Sequence, residues 1–596
     1  MGLFDAVSRE VTYIRTIGRT LRAMSKVTPD STHTVADIVE GFALEKPTNI
    51  AILCGDKTVS YRALNEGANR YAHWAAQAGI RHGDVVALLM ENRPEYVMAW
   101  LGMIKVGAVT ALINTNLRGT PLAHSIGIAQ AGHVVVGSEL ADAYAEIAPQ
   151  LAPRPVAWVT GAPMQGMEDL DAALLHSSLE PVDKALRGAL TLKDKAFYIY
   201  TSGTTGLPKA ANISHMRMLF MMIGFSGALG AKESDRMYDV LPLYHSAGGI
   251  AALGPPLLNG GSLLIRRKFS VHEFWDDCFT YKPTFFQYIG ELCRYLLNAP
   301  TTQHERDHHL RAIIGNGLRP EIWHQFQERF AIPKIVEFYG ATEGNVAMIN
   351  YDGKPGSVGR IPRYMRGRIQ TRLVRFDIEH EEPVRGPDGF CIECKPNEVG
   401  EAIGKIVDEP GRRFEGYTKE SDTRKKILRD AFEKGDAWFR TGDLLREDEH
   451  GYFYFVDRVG DTFRWKGENV ATSEVSEALG VVPGIKEANV YGVAVPGMDG
   501  RAGMAALVTT PSFNVTKLAP ALQGNLPAYA RPVFLRMQPD MEVTGTFKQR
   551  KVELVKDGFD PKAISVPIYW LNPATGAYEP LTTAVYDDIV SGKVKL

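Results

Sequence analysis

The 596-residue chain is short of cysteine, of net charge and of long apolar runs, and each shortage removes a class of protein. Its five cysteines, Cys54, Cys278, Cys293, Cys391 and Cys394, are too few to staple a chain of this length, so a disulfide scaffold is excluded and a reducing compartment fits. Cys391-Ile-Glu-Cys394 has zinc-ligand spacing, but no second Cys or His pair follows at a suitable distance, and structural zinc takes four ligands. Two small residues on a strand between Gly389 and Pro396 are the plainer expectation. Lys and Arg number 67 against 69 Asp and Glu, a formal charge of −2. No global field gathers nucleic acid, so no nucleic-acid partner is expected and any anion site must be local. The most apolar stretch, Met98 to Ile113, is broken by Lys105, and no run reaches the roughly 18 residues of a membrane-spanning helix. The opening MGLFDAVSRE has no basic stretch followed by an apolar core, so no secretory leader is expected, and Ala6 fails the myristoylation pattern. A cytoplasmic location follows as the expectation, on the surface of a membrane if the N-terminal helix binds one.

What is present is ordinary globular composition, with 45% hydrophobic and 23% charged residues. Residues 3–24 predict one amphipathic helix, because Leu3, Val7, Val11, Ile14, Leu21 and Met24 recur every three to four positions beside Arg9, Arg15, Arg19 and Arg22. Such a helix either lies in a membrane interface or packs its apolar stripe on the body of the protein. From residue 45 to about 350, short apolar runs (Ala51–Cys54, Val85–Leu89, Ala108–Ile113, Val134–Val136, Ala196–Tyr200) alternate with helical stretches (Tyr61–Ala78, and one from Pro94), which predicts parallel βαβ layers. Residues 351–400 turn rich in Gly, Pro and charge, as in a small β module with tight turns. Beyond Asp457 a shorter α/β pattern resumes, with strands near Ala488–Val495 and Met504–Val508. The expected fold is α/β: an N-terminal helix (1–30), a large N-terminal domain of layered βαβ subdomains plus the β module (31–456), and a smaller, mobile α/β C-terminal domain (457–596).

The strongest local signal is Tyr198-Ile-Tyr-Thr-Ser-Gly-Thr-Thr-Gly-Leu-Pro-Lys209. An apolar strand exits into four hydroxyl residues (Thr201, Ser202, Thr204, Thr205), two glycines (Gly203, Gly206) and a cation, Lys209. Glycines permit close backbone approach, and the N–H groups of such a turn form an anion nest. It is not a Walker A loop, since Pro208 stands where that motif needs Gly.

YIYTSGTTGLPKAA resembles the signature of the adenylate-forming superfamily, which holds acyl-CoA synthetases, luciferases and nonribosomal adenylation domains. Phe338-Tyr-Gly-Ala-Thr-Glu-Gly344, Thr441-Gly-Asp443 and the segment from Asp457 to Asn469 resemble its further motifs, in the expected order. GNGLRP (315–320), DTFRWKGENV (461–470), GRAGMAAL (500–507), TGTFKQRK (544–551) and YWLNPATGAYEPLT resemble more narrowly the fatty acid transport protein and very-long-chain acyl-CoA synthetase family. The resemblance implies two steps: a carboxylate attacks the α-phosphate of ATP and expels diphosphate, then the thiol of CoA attacks the acyl carbon and expels AMP. ATP, Mg2+ and CoA are the implied cofactors.

The same resemblance implies roles. Glu343 binds Mg2+, Thr342 the α-phosphate, and Tyr339 stacks on adenine beside Gly340. Alone, a Thr-Glu pair reads as an ordinary helix start. Gly315-Asn316-Gly317 covers the other adenine face, though by itself it reads as a turn. Asp443 and Arg458 contact ribose, and an ion pair of Arg458 with Asp457 or Asp461 is the plain alternative. The catalytic C-terminal lysine is expected at Lys548, since Gly545 is followed by Thr546, with Arg550 and Lys551 as rivals. The hinge falls at Gly460-Asp461, and a CoA face at Lys466-Gly467. His245 resembles a family residue beside the acyl and diphosphate sites, and Gly340 and Ala341 are placed at the acyl pocket because their small size leaves room for a long chain. His215, His272, His304, His308 and His309 read as surface residues. The implied substrate is a long- or very-long-chain fatty acid. The alternatives are a bile-acid or sterol side-chain acid, a fatty acid uptake protein coupled to activation, and an acyl-AMP ligase serving a carrier protein. Oligomeric state, including a homodimer, stays open.

Overall fold

In a computed structural model that describes residues 3–201, 207–409, 413–498, 500–523, 525–543 and 549–596, the apolar runs become buried strands. Val85–Leu89, Val109–Leu112 and His133–Gly137 are almost wholly buried and pair in parallel, as unbroken Val/Leu/Ala runs require when both faces are covered. The helices between them carry legible ends. Tyr61–Gln77 starts where the Ser60 side chain accepts from Ala63 N–H, and it buries Leu64, Ala68, Tyr71, Ala72 and Ala75. Pro94–Val106 begins with proline and stops at Gly107 in the left-handed region, φ 75°.

The described residues divide into two units: Met1–Arg360 with Lys405–Leu428 and Ala437–Phe439, and Ile361–Gly404 with Arg429–Asp436 and Arg440–Leu596. The first holds two sheets. One has seven strands in the order Glu168–Asp169, Val156–Thr160, His133–Gly137, Val85–Leu89, Val109–Leu112, Lys195–Thr201 and Lys209–Ser214. All neighbours run parallel except the final hairpin. The other has eight, with a parallel centre formed by Ile335–Gly340, Ala312–Asn316, Phe285–Ile289, Arg236–Asp239, Ser262–Ile265 and Ile50–Cys54, and an antiparallel strand at each edge.

The second unit contains antiparallel pairs, residues 371–374 on 401–404 and residues 443–447 on 453–458. It also contains a five-stranded sheet, Ile485–Val493, Ala502–Thr509, Phe534–Met537, Ile568–Asn572 and Ala577–Pro580, over a core that includes Val490, Met504, Phe534 and Trp570. Cys391 and Glu393 make isolated bridges to Arg385 and Val374 rather than a continuous strand, and Cys391 and Cys394 are both free thiols.

Leu3–Met24 is one helix. Its packed face is Tyr13, Thr16 and Thr20, and of the apolar stripe Val7, Val11 and Ile14 are 50–56% exposed, so that part of the stripe does not pack on the body of the protein. The reason is steric. A Cβ on Gly227, in the helix His215–Leu229, would lie 2.1 Å from Thr20 Oγ1, so only small side chains fit this close crossing. Arg19 donates to the Gly227 carbonyl, and Tyr13 meets Tyr351 edge-on at 5.6 Å. Among the described residues, no helix is long and apolar enough to cross a membrane.

Candidate active site in the first unit and a polar turn in the second

The hydroxyl-rich segment links a hairpin: Lys195–Thr201 pairs antiparallel with Lys209–Ser214, and Thr201 is opposite Lys209. Ser202, Gly203, Thr204, Thr205 and Gly206 lie outside the described residues. The open edge of Lys209–Ser214 is covered by a segment from far along the chain. Tyr417 bridges Ala211, Asn212 N–H donates to Gly416 O at 3.0 Å, and Thr418 N–H donates to Ala210 O at 2.9 Å. Gly416 is needed there, with φ +67° and a would-be Cβ 2.6 Å from Thr423. Ser214 N–H and hydroxyl both donate to the Glu415 carboxylate, the former at 2.7 Å. Lys209 Nζ is 3.1 Å from an Asp422 carboxylate oxygen and 5.7 Å from the centre of the Tyr417 ring.

The same region receives the Thr342-Glu343 turn. Ser214 also caps the helix His215–Leu229, accepting from Arg217 N–H at 3.1 Å. That helix start aims the Arg217 guanidinium at the turn, where it donates to Ala341 O (3.1 Å), to Thr342 O (2.7 and 3.0 Å) and to Gly344 O. Thr342 Oγ1 is 3.2 Å from Ser246 Oγ, which brings in the His245-Ser246 loop. Tyr417 Oη donates to Glu343 Oε1 at 2.6 Å, and Glu343 is 8% exposed. Burial, and next the Glu343 charge, push the Tyr417 phenol well above its ordinary range, so it stays a proton donor. The loop past His245 winds into a π-helical turn, Ala247–Ala252, in which Gly249 N–H donates to His245 O at 2.7 Å. A Cβ on Gly249 would lie 2.1 Å from Leu243 O.

Gly315, Asn316 and Tyr339 end adjacent strands of the eight-stranded sheet. Glu337, two residues before Tyr339, ties the Gly317 loop to that strand: its carboxyl accepts from Gly317 N–H (3.1 Å), Leu318 N–H (2.9 Å) and Tyr288 Oη (2.6 Å). Burial pushes Glu337 up to about 8 against an ordinary 4.5. Gly317 is left-handed at φ +82°, and a Cβ on Gly290 would lie 1.7 Å from its carbonyl oxygen. Gly340 is exposed with ordinary clearance, so in this conformation nothing forces glycine there.

In the second unit, Thr441-Gly442-Asp443 is held by Glu401, which is fully buried. Glu401 pairs with Arg440 at 2.9 Å and accepts from Gly442 N–H at 3.1 Å. Gly442 has φ +77°, and Thr441 Oγ1 donates to Ala402 O at 2.7 Å. Arg458 pairs with Asp443 at 3.8 Å, not with Asp457 or Asp461. Asp457 is buried and accepts from Arg458 N–H at 2.9 Å and from Thr472 N–H at 2.5 Å. Asp461 binds Lys551 at 3.1 Å, and Lys551 also donates to Thr472 Oγ1 at 2.8 Å. Arg550 pairs with Glu542 at 3.8 Å, and Lys548 lies outside the described residues. Lys466 (φ +52°) and Gly467 (φ +81°) form an exposed two-residue hairpin turn. Gly460 has open space at its Cβ and no positive φ.

Two expectations about histidines are corrected. His215 is not at the surface: it follows the Ser214 cap on the inward face, is fully buried, and neither ring nitrogen finds a partner among the described residues. Burial lowers it to about 4. His304 and His308 are not in a wholly solvated loop, since His304 stacks on Phe279 at 4.1 Å and His308 bonds Phe330 O at 2.7 Å. Arg217, Glu415, Tyr417 and Asp422 were missed. The one hint was an aromatic and several acids, EGYTKESD, in an otherwise featureless stretch.

Among the described residues, no group of three or more His, Cys, Asp and Glu is placed to hold a metal by itself. A single buried carboxylate, Glu343, whose partner Tyr417 also meets Lys209, fits a magnesium ion that would arrive with the nucleotide and keep phosphate and water ligands.

The AMP-binding enzyme family matches residues 39–401. The chain belongs to that family. Long-chain fatty acid transport protein 6 of Mus musculus is 42% identical over 94% of this chain and 91% of its own length. Long-chain fatty acid transport protein 1 of Homo sapiens is 43% identical over 95% of this chain and 88% of its own. Among solved structures, the anthranilate CoA ligase AuaEII in complex with anthranoyl-AMP superposes with a TM-score of 0.75 at 21% identity, covering 89% of this chain and 98% of that one. ATP-bound MatB from Rhodopseudomonas palustris gives 0.73 at 24%, covering 87% and 98%. Both show the adenylate-forming fold. Within the AMP-binding enzymes, then, the chain is of the acyl-CoA ligase class and falls with the fatty acid transport proteins.

Proposed function

We propose that the protein joins long- or very-long-chain fatty acids to CoA, using ATP and releasing AMP and diphosphate. The observation that carries this reading is the gathering of Thr342, Glu343 and Lys209 at one hydroxyl-and-glycine hairpin in a chain of the acyl-CoA ligase class. The names of its relatives supply the acyl group. In the first step the fatty carboxylate attacks the α-phosphorus and diphosphate leaves, so negative charge spreads over phosphoryl oxygens. Lys209 and the Thr201–Gly206 backbone grip the phosphates, Thr342 orients the α-phosphate, and Lys548 bridges the two reactants; Glu343 would hold magnesium, which would supply charge neutralisation there. Tyr339 and Gly315–Gly317 enclose the adenine, and Asp443 and Arg458 hold the ribose. In the second step the C-terminal part turns about Gly460-Asp461, and the CoA thiol attacks the acyl carbon from the Lys466-Gly467 side. Open space around Gly460 supports that pivot, since this conformation does not itself demand glycine. His245 and Ala341 border the acyl group.

The exposed Val7, Val11 and Ile14, flanked by exposed Arg15 and Arg22, support contact of the N-terminal helix with an anionic membrane surface, where the fatty acid is concentrated. Release of AMP from ATP, Mg2+ and CoA, measured across saturated acids of graded length and against sterol acids, tests the reading. Efficiency is expected to rise with each CH2, by up to the ~0.8 kcal/mol its burial provides. A maximum at short acids or at sterol acids sinks the substrate, and AMP release that ignores CoA sinks the ligase.

A further inference from the structure

Glu343 is a buried carboxylate whose oxygen Oε1 is taken by one phenol, and that phenol comes from a segment beyond the residues matched by the AMP-binding family. Tyr417 is fixed in place from both sides. Its neighbours Gly416 and Thr418 are hydrogen-bonded to the strand Lys209–Ser214, and Tyr417 itself bridges Ala211. Thr423 Oγ1 accepts from Tyr417 N–H at 2.9 Å. The backbone of the Glu343 turn is clamped separately, by Arg217. Arg217 therefore sets where the turn lies, while the phenol sets how the carboxylate plane is rotated upon it. A carboxylate has two oxygens and about four acceptor positions, and a hydrogen bond to one oxygen decides which lone pairs remain for a cation.

We propose that Tyr417 is a positioning residue that orients Glu343 so that Oε2 meets the magnesium ion carried with the nucleotide. The proposal rests on the nucleotide-activating role of Glu343 set out above. Tyr417 acts through the carboxylate, and its ring under Lys209 also sets the spacing between the phosphate-gripping cation and the metal-binding oxygen.

The test uses the full chain and Mn2+ as a spectroscopic stand-in for magnesium, titrated in the presence of ATP and read by electron paramagnetic resonance. Three proteins are compared: the parent, Glu343→Gln, and Tyr417→Phe, which keeps the ring and loses the hydroxyl. The expected result is that Tyr417→Phe weakens Mn2+ binding in the ternary mixture by ~10-fold or more, the scale of losing an outer-shell partner. Its affinity for metal-free ATP should stay within about twofold of the parent, and saturating Mg2+ should restore its rate of diphosphate exchange. Mn2+ affinity within about twofold of the parent overturns the proposal. So does an exchange defect that persists at saturating Mg2+, which marks the phenol as packing only. Should Tyr417→Phe melt early, Tyr417→His decides: it keeps an N–H donor on an aromatic ring, so recovered cation affinity is expected and none overturns the proposal. The underlying reading fails in a different way: the parent would then bind Mn2+ with ATP no more tightly than Glu343→Gln does.

Discussion

The two polar constellations draw on the chain differently. In the first unit, the turn of Thr342 and Glu343 is held by residues from far along the chain: Arg217 is 125 positions from Thr342 and Tyr417 is 74 from Glu343. In the second unit, Asp443, Arg458, Asp461 and Thr472 lie within one stretch of chain, and Thr441, Asp443 and Arg458 sit on adjacent strands of one hairpin. The first arrangement fixes the turn through bonds from distant segments, the Tyr417–Glu343 one buried. The second is knit by one local hairpin and by Glu401 and Lys551, which join from 41 and 79 positions away, and it leaves Arg458 and Lys466 exposed.

Mutations can break that contrast. Glu343→Ala should cost ~100-fold or more in ATP–diphosphate exchange, the scale of removing one electrostatic stabiliser. Near-parental exchange would show that the first constellation is not where phosphates react. Arg217→Met strips the turn of its carbonyl donations and should slow exchange by ~10-fold or more while lowering stability by ~1–3 kcal/mol, since buried carbonyls lose charged donors. Arg217→Lys should not recover the rate, because an ammonium lacks the planar fork. An exchange rate unmoved in Arg217→Met would mean the turn holds its own shape.

Gly460→Pro sharpens the other side of the comparison. It should impair thioester formation from preformed acyl-adenylate several-fold more than it impairs adenylation. Equal loss of both steps would count against a pivot at that residue.

The smallest effect is a slope. Glu337 is pushed up to about 8 in the folded chain from an ordinary 4.5, so between those values the native state holds a proton that the unfolded state has released. Its contribution to stability is whole below pH ~4.5 and is lost as pH rises toward 8, by at most ~1.4 kcal/mol per pH unit. Glu337→Gln should flatten this part of the stability profile in chemical denaturation, and an unchanged slope would show that Glu337 is already ionised in the fold.

The layered α/β architecture was legible because Val85–Leu89 and its neighbours are unbroken apolar runs, and a strand buried on both faces leaves little alternative. The turns at Gly317 and Gly442 were legible as short strings with glycine, both of which take a left-handed φ. Three kinds of feature were not. The amphipathic period of Leu3–Met24 marks two faces but not which one packs, and the choice fell to Thr16 and Thr20 because Gly227 admits a close approach. His215 looks polar in a string, yet its burial is set by the direction in which the Ser214 cap launches the helix. Tyr417 pairs with Glu343 only because a strand edge 206 positions away (Ala211) needed covering, and no local pattern encodes that closure.

The returning segment 405–428 has a practical consequence for anyone dissecting the gene. A fragment ending at Arg360 would carry the hydroxyl hairpin and the Thr342-Glu343 turn but leave an unsatisfied strand edge, an unpaired Lys209 and a carboxylate without its phenol. Chimaeras between relatives should therefore exchange residues 405–428 together with the N-terminal piece, or the graft will separate the two halves of one hydrogen-bonded surface.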